Sequence, residues 1–484
     1  MKLPPKSPVA PSRRDLKNNL DALSQKLGPI ELRSIASLSN YARNPRKHPE
    51  SQLVALAASM RQFGFTMPVL VDANGEVIAG EARLVAAARV GLTKVPVLVA
   101  HHWSAAQVKA YRLADNRLAE CATWDFGLLA AEILDVISID EVAIEILGWE
   151  TAEIDVILEE ARVVEAQQGG AADPADAQVL LPPETVSRDG DVWLPGKNRL
   201  LCGSSLEESC WMRLMNGRRA SMSFNDPPYN VSIAGNVCGL GQVQHAEFRM
   251  ASGEMSRVEF VSFLTTFLTR VSAHCHDGAV IDVCIDWRHL SELHEALAAA
   301  GLAILNVCVW NKSNGGMGSL YRSKYELVFI ARKGNASHRN NVQLGRHGRY
   351  RTNVWDYAGV NSFGANRMKD LTDHPTVKPV ALVADAIRDV TAHGDIVIDA
   401  FMGVGTTILA AQRTGRIGYG IEIEPRFVDV AIRRWETLTG EQAILEDTGE
   451  TFAEVGARRA EHAAEEQEEG QDEQAGDEPF DEPA

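Results

Sequence analysis

The stretch Asn225-Asp226-Pro227-Pro228-Tyr229-Asn230 puts an acid, two consecutive prolines and an aromatic ring side by side. Neither proline carries an N–H and each fixes its own φ, so this segment presents carbonyls rigidly and without neighbouring donors. An aromatic amine is a poor nucleophile because its lone pair is delocalised into the ring. The Asp226 carboxylate and the Pro227 carbonyl can accept its two N–H bonds, localising the lone pair for in-line attack on a methyl sulfonium. Tyr229 can stack on a base drawn out of a duplex, offsetting part of an unstacking cost of roughly a few kcal/mol. This chemistry needs no metal. The seven cysteines form an odd set without a CxxC pair, and the neighbouring side chains of His274-Cys275-His276 point in different directions, so neither a disulfide framework nor a metal site is expected.

A second constellation lies in residues 395–425, DIVIDAFMGVGTTILAAQRTGRIGYGIEIEP. A strand ends at Asp399, and Phe401-Met402-Gly403-Val404-Gly405 turns into a helix opened by Thr406. The next strand ends at Glu422, 19 residues after Gly403. Glycines in such a turn allow the backbone to approach a ligand closely, and a carboxylate ending the following strand can accept hydrogen bonds from two ribose hydroxyls. Asp399 can face the same ligand, a nucleoside-like cofactor.

Both constellations need a sheet to position them. From SMSFND to IGYGIEI, predicted strands alternate with helical stretches, which predicts an α/β domain with a largely parallel sheet, helices on both faces and ligands at the carboxyl ends of the strands. An N-terminal module precedes it: SQLVALAASMRQFG predicts a helix, MPVLVD and EVIAG a hairpin around Asn74-Gly75, GEARLVAAARVG a helix, VPVLVA a strand and SAAQVKAYRLADNRLAE a helix. The expected organisation is a disordered start over 1–30, a small α/β domain with a helical extension over 31–160, an Ala/Gly/Pro-rich linker over 161–185, the large α/β domain over 186–445, and a disordered acidic tail over 446–484.

The formal net charge of −17 is concentrated in that tail, where eleven carboxylates and no Lys or Arg lie between Glu461 and Glu482, leaving −6 on residues 1–460. Residues 332–351 gather Arg332, Lys333, Arg339, Arg346, Arg349 and Arg351 with two histidines, a segment able to meet phosphates, and Arg346, Arg349 and Arg351 are the candidate DNA contacts. With 45% hydrophobic residues, no apolar run of bilayer length and no signal-peptide core, a cytoplasmic protein without a membrane partner is expected.

Taken together, residues 190–440 resemble the β-class DNA-amino methyltransferases, the N-4/N-6 methylases with an Asp-Pro-Pro-Tyr tetrad, in which the catalytic motif precedes the cofactor motif. The resemblance implies a Rossmann-like methyltransferase domain using S-adenosyl-L-methionine on double-stranded DNA. It makes Asp226, Pro227, Pro228 and Tyr229 the catalytic tetrad, with Phe401, Gly403 and Gly405 in the cofactor loop. It also places His374, Thr376 and Lys378, in the box HPTVKP, on the methionine side of the cofactor. NGGMGSLYRSKYELVFIARKG matches the strand and loop that follow the catalytic motif, and target recognition is expected at about 335–372. NRLLCGSSLEES resembles a further segment but has Ser204 where Asp is usual. Residues 32–122 resemble the ParB/sulfiredoxin-like domain through Asn44-Pro45-Arg46 and Gly80-Glu81-Ala82-Arg83, a helix start that can hold phosphates. Docking, nucleotide binding and nuclease activity stay open for that module, as does a homodimer.

The expected activity is site-specific methylation of adenine N6, by a protein of bacterial or phage origin. Asp226 favours adenine over cytosine N4, whose enzymes often carry Ser there. An inactive methylase fold in a ParB-like DNA-binding protein is a second class. Protein-glutamine methylation disagrees with both Asp226 and the motif order.

Overall fold

The computed structural model describes residues 29–139, 144–169, 175, 184–231, 253–312, 315, 320–346, 348–358 and 377–462. The chain divides into two compact units, Met1–Glu150 and Thr151–Ala484. Among the described residues no helix is long and apolar enough to cross a membrane.

The first unit is a four-stranded sheet of β1 (Glu31–Ser34), β2 (Val69–Asp72), β3 (Val77–Ala79) and β4 (Lys94–Ala100), in the order β1-β4-β2-β3. Its helices are α1 (Glu50–Phe63), α2 (Glu81–Arg89), α3 (Ala105–Ala119) and α4 (Phe126–Ser138). The expected hairpin joins β2 to β3: Asp72 Oδ1 accepts from the Asn74 and Glu76 amides at 2.9 and 2.8 Å, and Gly75 takes the positive φ of 86° that the turn demands. Alternating valines of β2 and β4 (Val69, Val71, Val95, Val97, Val99) pack on Leu84 and Ala87 of α2. α3 starts at a capping box, with Ser104 and Gln107 exchanging side chain to backbone bonds.

The second unit opens with α5 (Thr151–Gly169) and is built on a ten-stranded sheet. The strands are β5 (Val192–Leu194), β6 (Arg199–Cys202), β7 (Ala220–Asn225), β8 (Cys275–Ile285), β9 (Leu302–Asn311), β10 (Tyr325–Lys333), β11 (Val354–Asp356), β12 (Ile396–Asp399), β13 (Ile417–Glu422) and β14 (Ile444–Leu445), in the order β11-β9-β10-β8-β7-β12-β13-β6-β5-β14. The central run β8-β7-β12-β13-β6 is parallel throughout, as the alternation of elements predicts. β10 inserts antiparallel between β8 and β9, and β5 and β14 close the other margin antiparallel.

Helices cover both faces, and period-two alternation separates their cores. Val397 of β12 points into a cluster with Val383 of α9 (Val380–Val390), Ile408 of α10 (Thr406–Arg413) and Ile432 of α11 (Pro425–Thr439). The next residue, Ile398, points to the other face, with Trp211 of α6 (Glu208–Met215), Phe260 of α7 (Arg257–Ala273) and Leu293 of α8 (Leu290–Ala299).

The unit extends beyond its expected limits at both ends, for physical reasons the composition hides. At its start, α5 packs on the second unit through Asp155, whose carboxylate lies 2.7 and 2.9 Å from the two terminal nitrogens of Arg416, with His393 Nε2 3.2 Å away. Both Asp155 and Arg416 are buried, so the helix straddling residue 160 is held by a bidentate ion pair formed 261 residues away in sequence. At its end, a helix over 452–462 follows β14; Phe452 and Val455 are buried, Phe452 lies edge-on to Trp193, and Arg459 pairs with Asp191 at 2.6 Å. The residues expected to be disordered at the start, 1–28, and most of the acidic run, 463–484, lie outside the described residues.

Candidate active site

Chain connections leave β7 and β12 in opposite directions: β7 leads to β8 on one side, β12 to β13 on the other. In an open α/β sheet such a switch point leaves a crevice at the carboxyl ends of the two strands. Both constellations end there. Asp226 follows the last residue of β7, Asp399 ends β12, and Asn225 ties them: its buried side chain donates to Asp282 O at 3.1 Å and accepts from the Ala400 amide at 3.2 Å.

On the β12 side, Asp399 shapes the glycine turn. Its Oδ1 accepts from the Phe401 amide at 2.9 Å and its Oδ2 from the Thr407 hydroxyl at 2.6 Å. Phe401 sits edge-on to Phe267, with centroids 4.9 Å apart, anchoring the turn on α7. Gly405 has a φ of 88°, and a Cβ there would come within 2.7 Å of the Ala431 Cβ, so α10 can lie against α11 only with glycine at this position. Gly403, also at positive φ, has open space on its side-chain face. Glu422 accepts from the Gly403 amide at 2.7 Å and from the Glu424 amide at 2.8 Å. Burial raises the carboxyls of Asp399 and Glu422 to about 7 each, against the opposing pull of these hydrogen bonds. A buried acid beside an open glycine face fits a ribose diol, whose hydroxyls can donate to the lone pairs that the two amides leave on this carboxylate. Thr406 is buried at the first position of α10. At the neighbouring strand end, the Gly203 amide donates to Glu422 O at 2.9 Å, and Ser204 Oγ accepts from the Leu206 amide, closing the turn.

On the β7 side, Pro227 is buried and Asn230 takes a left-handed φ of 53°. The Asn230 side chain explains that conformation: it donates to Met255 O at 2.8 Å and accepts from the Gly253 and Met255 amides. Asp226 is not bare. Its Oδ1 accepts from the Tyr229 hydroxyl at 2.6 Å and its Oδ2 from the Lys378 ammonium at 2.6 Å. The same ammonium lies 2.9 Å from Glu326 Oε2, an alternative acceptor for the Tyr229 hydroxyl proton at 3.0 Å, and Lys312 bonds the other oxygen of Glu326. Trp310 lies beneath both ammoniums, 4.7 Å from Lys312 Nζ and 5.5 Å from Lys378 Nζ. Burial alone would push the Glu326 carboxyl up, but Lys378 and Lys312 outweigh it and hold the group at about 2. Burial likewise opposes the charge on Lys378, and Asp226 and Glu326 reverse that, raising its pKa. Burial raises Tyr229 well above 10, and the adjoining carboxylates Asp226 and Glu326 add to the shift.

The structure thus brings together Asp226, Tyr229, Asp399, Gly403, Gly405 and Glu422 at one switch point. Lys378, expected beside the cofactor, has its ammonium on Asp226. His374 and Thr376 lie outside the described residues. The basic segment differs from expectation. Arg349 pairs with Asp389 at 2.6 Å and lies 3.5 Å from Asp385; Arg351 pairs with Asp389 at 2.9 Å and donates to the Tyr357 hydroxyl. Both cations are largely buried and neutralised by acids of α9, so they hold the segment to the domain instead of presenting charge to phosphates. Arg346 bonds the neighbouring Gln343 on the surface. Glu326 and Lys312 join the site without a motif of their own to mark them. The available signal was a lone acid opening the apolar run YELVFIARK.

In the first unit, a cavity of about 240 Å³ is lined by Asn44, Arg46, Gly80, Glu81, Arg83 and Asn116 among others. Gly80, at a φ of 101°, caps α2, and Asn44 donates to Glu81 at 2.5 Å. Arg46 reaches Asn116 Oδ1 at 2.9 Å, and Arg83 donates to the Met67 carbonyl at 2.8 Å.

Comparison with known proteins matches both units. A family model described as DNA methylase fits residues 220–433, and one described as ParB N-terminal domain fits residues 19–116. The ParB-like nuclease domain-containing protein YnaK of Escherichia coli (strain K12) is 46% identical over 77 residues, 16% of this chain and 87% of that protein. Type II methyltransferase M2.DpnII of Streptococcus pneumoniae is 27% identical over 227 residues, 44% of this chain and 82% of that protein. Among solved structures, a M1.HpyAVI–SAM complex aligns with 49% of this chain and 97% of its own, at 21% identity and a TM-score of 0.36. The cytosine-N4-specific PvuII DNA methyltransferase aligns with 52% of this chain and 88% of its own, at 16% identity and a TM-score of 0.38.

Proposed function

Because this chain belongs to the DNA methylase family of the N6/N4 type and carries a ParB N-terminal domain ahead of it, we propose that it methylates adenine N6 at a specific sequence in double-stranded DNA. The coarser activity, methylation of an exocyclic base amine from S-adenosylmethionine, is the family's. The choice of adenine rests on Asp at position 226.

The observation that carries this reading is the shared crevice: an acid with a rigid Pro-Pro carbonyl beside it on one strand end, and a glycine turn with a buried acid on the next two. In this reading the open face of Gly403 and the carboxylate of Glu422 hold the cofactor, with Asp399 and Phe401 fixing the turn. Bound S-adenosylmethionine supplies an electrophilic methyl group. Asp226 and the Pro227 carbonyl accept the two N–H bonds of the target amine and aim its lone pair, while the Tyr229 ring flanks the flipped base. The ParB-type domain serves as a DNA-positioning module, its cavity lined by polar and charged groups suited to a phosphate-bearing ligand. The site of action is the cytoplasm.

The test is mass spectrometry of nucleosides released from unmethylated DNA after incubation with S-adenosylmethionine. N6-methyladenine made by the native protein and not by Asp226→Ala is the expected result. N4-methylcytosine moves the assignment to the other amine. DNA binding without any methylated product makes the chain a DNA-binding protein on an inactive methylase fold.

A further inference from the structure

Lys378 is 5% exposed in its side chain and sits between two carboxylates, 2.6 Å from Asp226 Oδ2 and 2.9 Å from Glu326 Oε2. On the first of these it makes the kind of bond that an incoming amine would make: an N–H donated to the acceptor oxygen of Asp226. We infer that Lys378 holds the place of the target amine on Asp226 in the DNA-free protein, and that Glu326 keeps the ammonium when the base amine takes over the carboxylate. This rests on the methyl-transfer reading above and adds two positioning residues to it.

The charge balance explains why two carboxylates and two ammoniums are present. Asp226 is 24% exposed in its side chain and keeps only part of its hydration, so a donor stabilises it whenever no base is bound. A buried ammonium displaced from Asp226 is costly unless another anion receives it. Glu326 is already within reach, so the exchange requires only a swing of the terminal atoms on a flexible four-carbon stem. Lys312 on the far oxygen of Glu326 keeps the four charges neutral in sum before and after the exchange. The Tyr229 hydroxyl lies within reach of both carboxylates, 2.6 Å from Asp226 and 3.0 Å from Glu326, so its single proton can be given to either one as the ammonium moves. Trp310 offers its ring to both cations and tolerates the shift.

The two partners then have opposite signatures in steady-state methylation of unmethylated duplex DNA by the full chain. In Glu326→Gln the ammonium loses its alternative anion and stays on Asp226. The base amine must displace it, and KM for DNA rises about tenfold, equivalent to about 1.4 kcal/mol, with a smaller change in kcat. In Lys378→Met the competitor is gone: KM for DNA stays level or falls, while kcat drops because Glu326 loses the cation it holds in the DNA complex and stands as an unbalanced charge beside Asp226. Lys378→Arg restores most of the lost kcat. Binding of labelled S-adenosylmethionine shows that each variant is folded, and Glu326→Gln decides alone if Lys378→Met does not bind it. Equal loss of kcat in both variants with KM for DNA unchanged would reduce the pair to scaffold and overturn the inference. A native protein that methylates no DNA removes the functional reading and this inference together, whereas an active one lacking the KM split removes only the lysine exchange.

Discussion

The two polar sites of this chain use charge differently. In the second unit, acids and bases from remote parts of the sequence are paired with one another: at the switch point Lys378 meets Asp226 and Lys312 meets Glu326, and at the opposite, amino ends of β12 and β13 buried Asp155 meets Arg416. In the cavity of the first unit, Arg112 is buried and paired with Glu76, but Arg83 is bound to a backbone carbonyl and Arg46 to an amide side chain, with the exposed carboxylate of Glu120 3.9 Å away. Buried pairs leave few alternatives for what a site can do, because each removed partner strands a charge in low dielectric. Partly exposed arginines held mainly by neutral oxygens, with only a distant and solvated carboxylate beside Arg46, keep more of their charge available and leave the ligand open. The chemistry of the second unit is therefore readable in its geometry, while the first unit's is readable only as an affinity for anions.

Breaking a buried pair should have the largest effect. Asp155→Asn leaves the Arg416 guanidinium uncompensated and should lower the unfolding free energy of the second unit by about 3 kcal/mol or more, measured by urea denaturation. Arg416 and His393 hold the Asp155 carboxyl at about 2 although burial opposes them. Its folded pKa thus lies below the unfolded value, so its contribution is present above about pH 4 and is lost as pH falls towards 2. An acid unfolding curve that is the same with and without Asp155 would contradict this.

Gly405→Ala comes next. The positive φ and the 2.7 Å approach to Ala431 should cost about 1–3 kcal/mol in local strain, read as weaker S-adenosylmethionine binding by calorimetry with the sheet intact. A smaller effect comes from Glu422, whose carboxyl titrates at about 7 because of burial. Hydroxyl donors favour its ionised form, so cofactor affinity should weaken as pH falls from 8 to 6 and level off above about 8. Glu422→Gln should flatten that dependence. The smallest change belongs to the first unit: Arg46→Ala breaks a contact whose arginine side chain is 38% exposed and should alter stability by no more than about 1 kcal/mol. A loss there as large as that of Asp155→Asn would erase the contrast between the sites.

What the sequence disclosed follows the same division. The glycine turn, the Pro-Pro segment and the hairpin at Asn74-Gly75 are local devices whose residues lie within a few positions of each other, and the structure places each at the strand or helix end its pattern implied. The parallel core was legible from alternation, but its antiparallel margins were not, since nothing local distinguishes β10 from its parallel neighbours. Tertiary pairs were hidden. Lys378 meets Asp226 across 152 residues. Arg349 and Arg351 looked available because charge density does not reveal that Asp385 and Asp389 of α9 already neutralise them. The helix straddling residue 160 was divided between linker and module for the same reason, its deciding contact being at Arg416.

The most direct test of the central claim is a single-turnover transfer from labelled S-adenosylmethionine to unmethylated DNA, comparing the native chain with Asp226→Asn. Label is expected in the DNA for the native chain, with a loss of about 10²–10³-fold in rate for the variant and cofactor binding retained. Equal incorporation by both proteins would contradict that claim, because the crevice between β7 and β12 would then not be where the amine reacts.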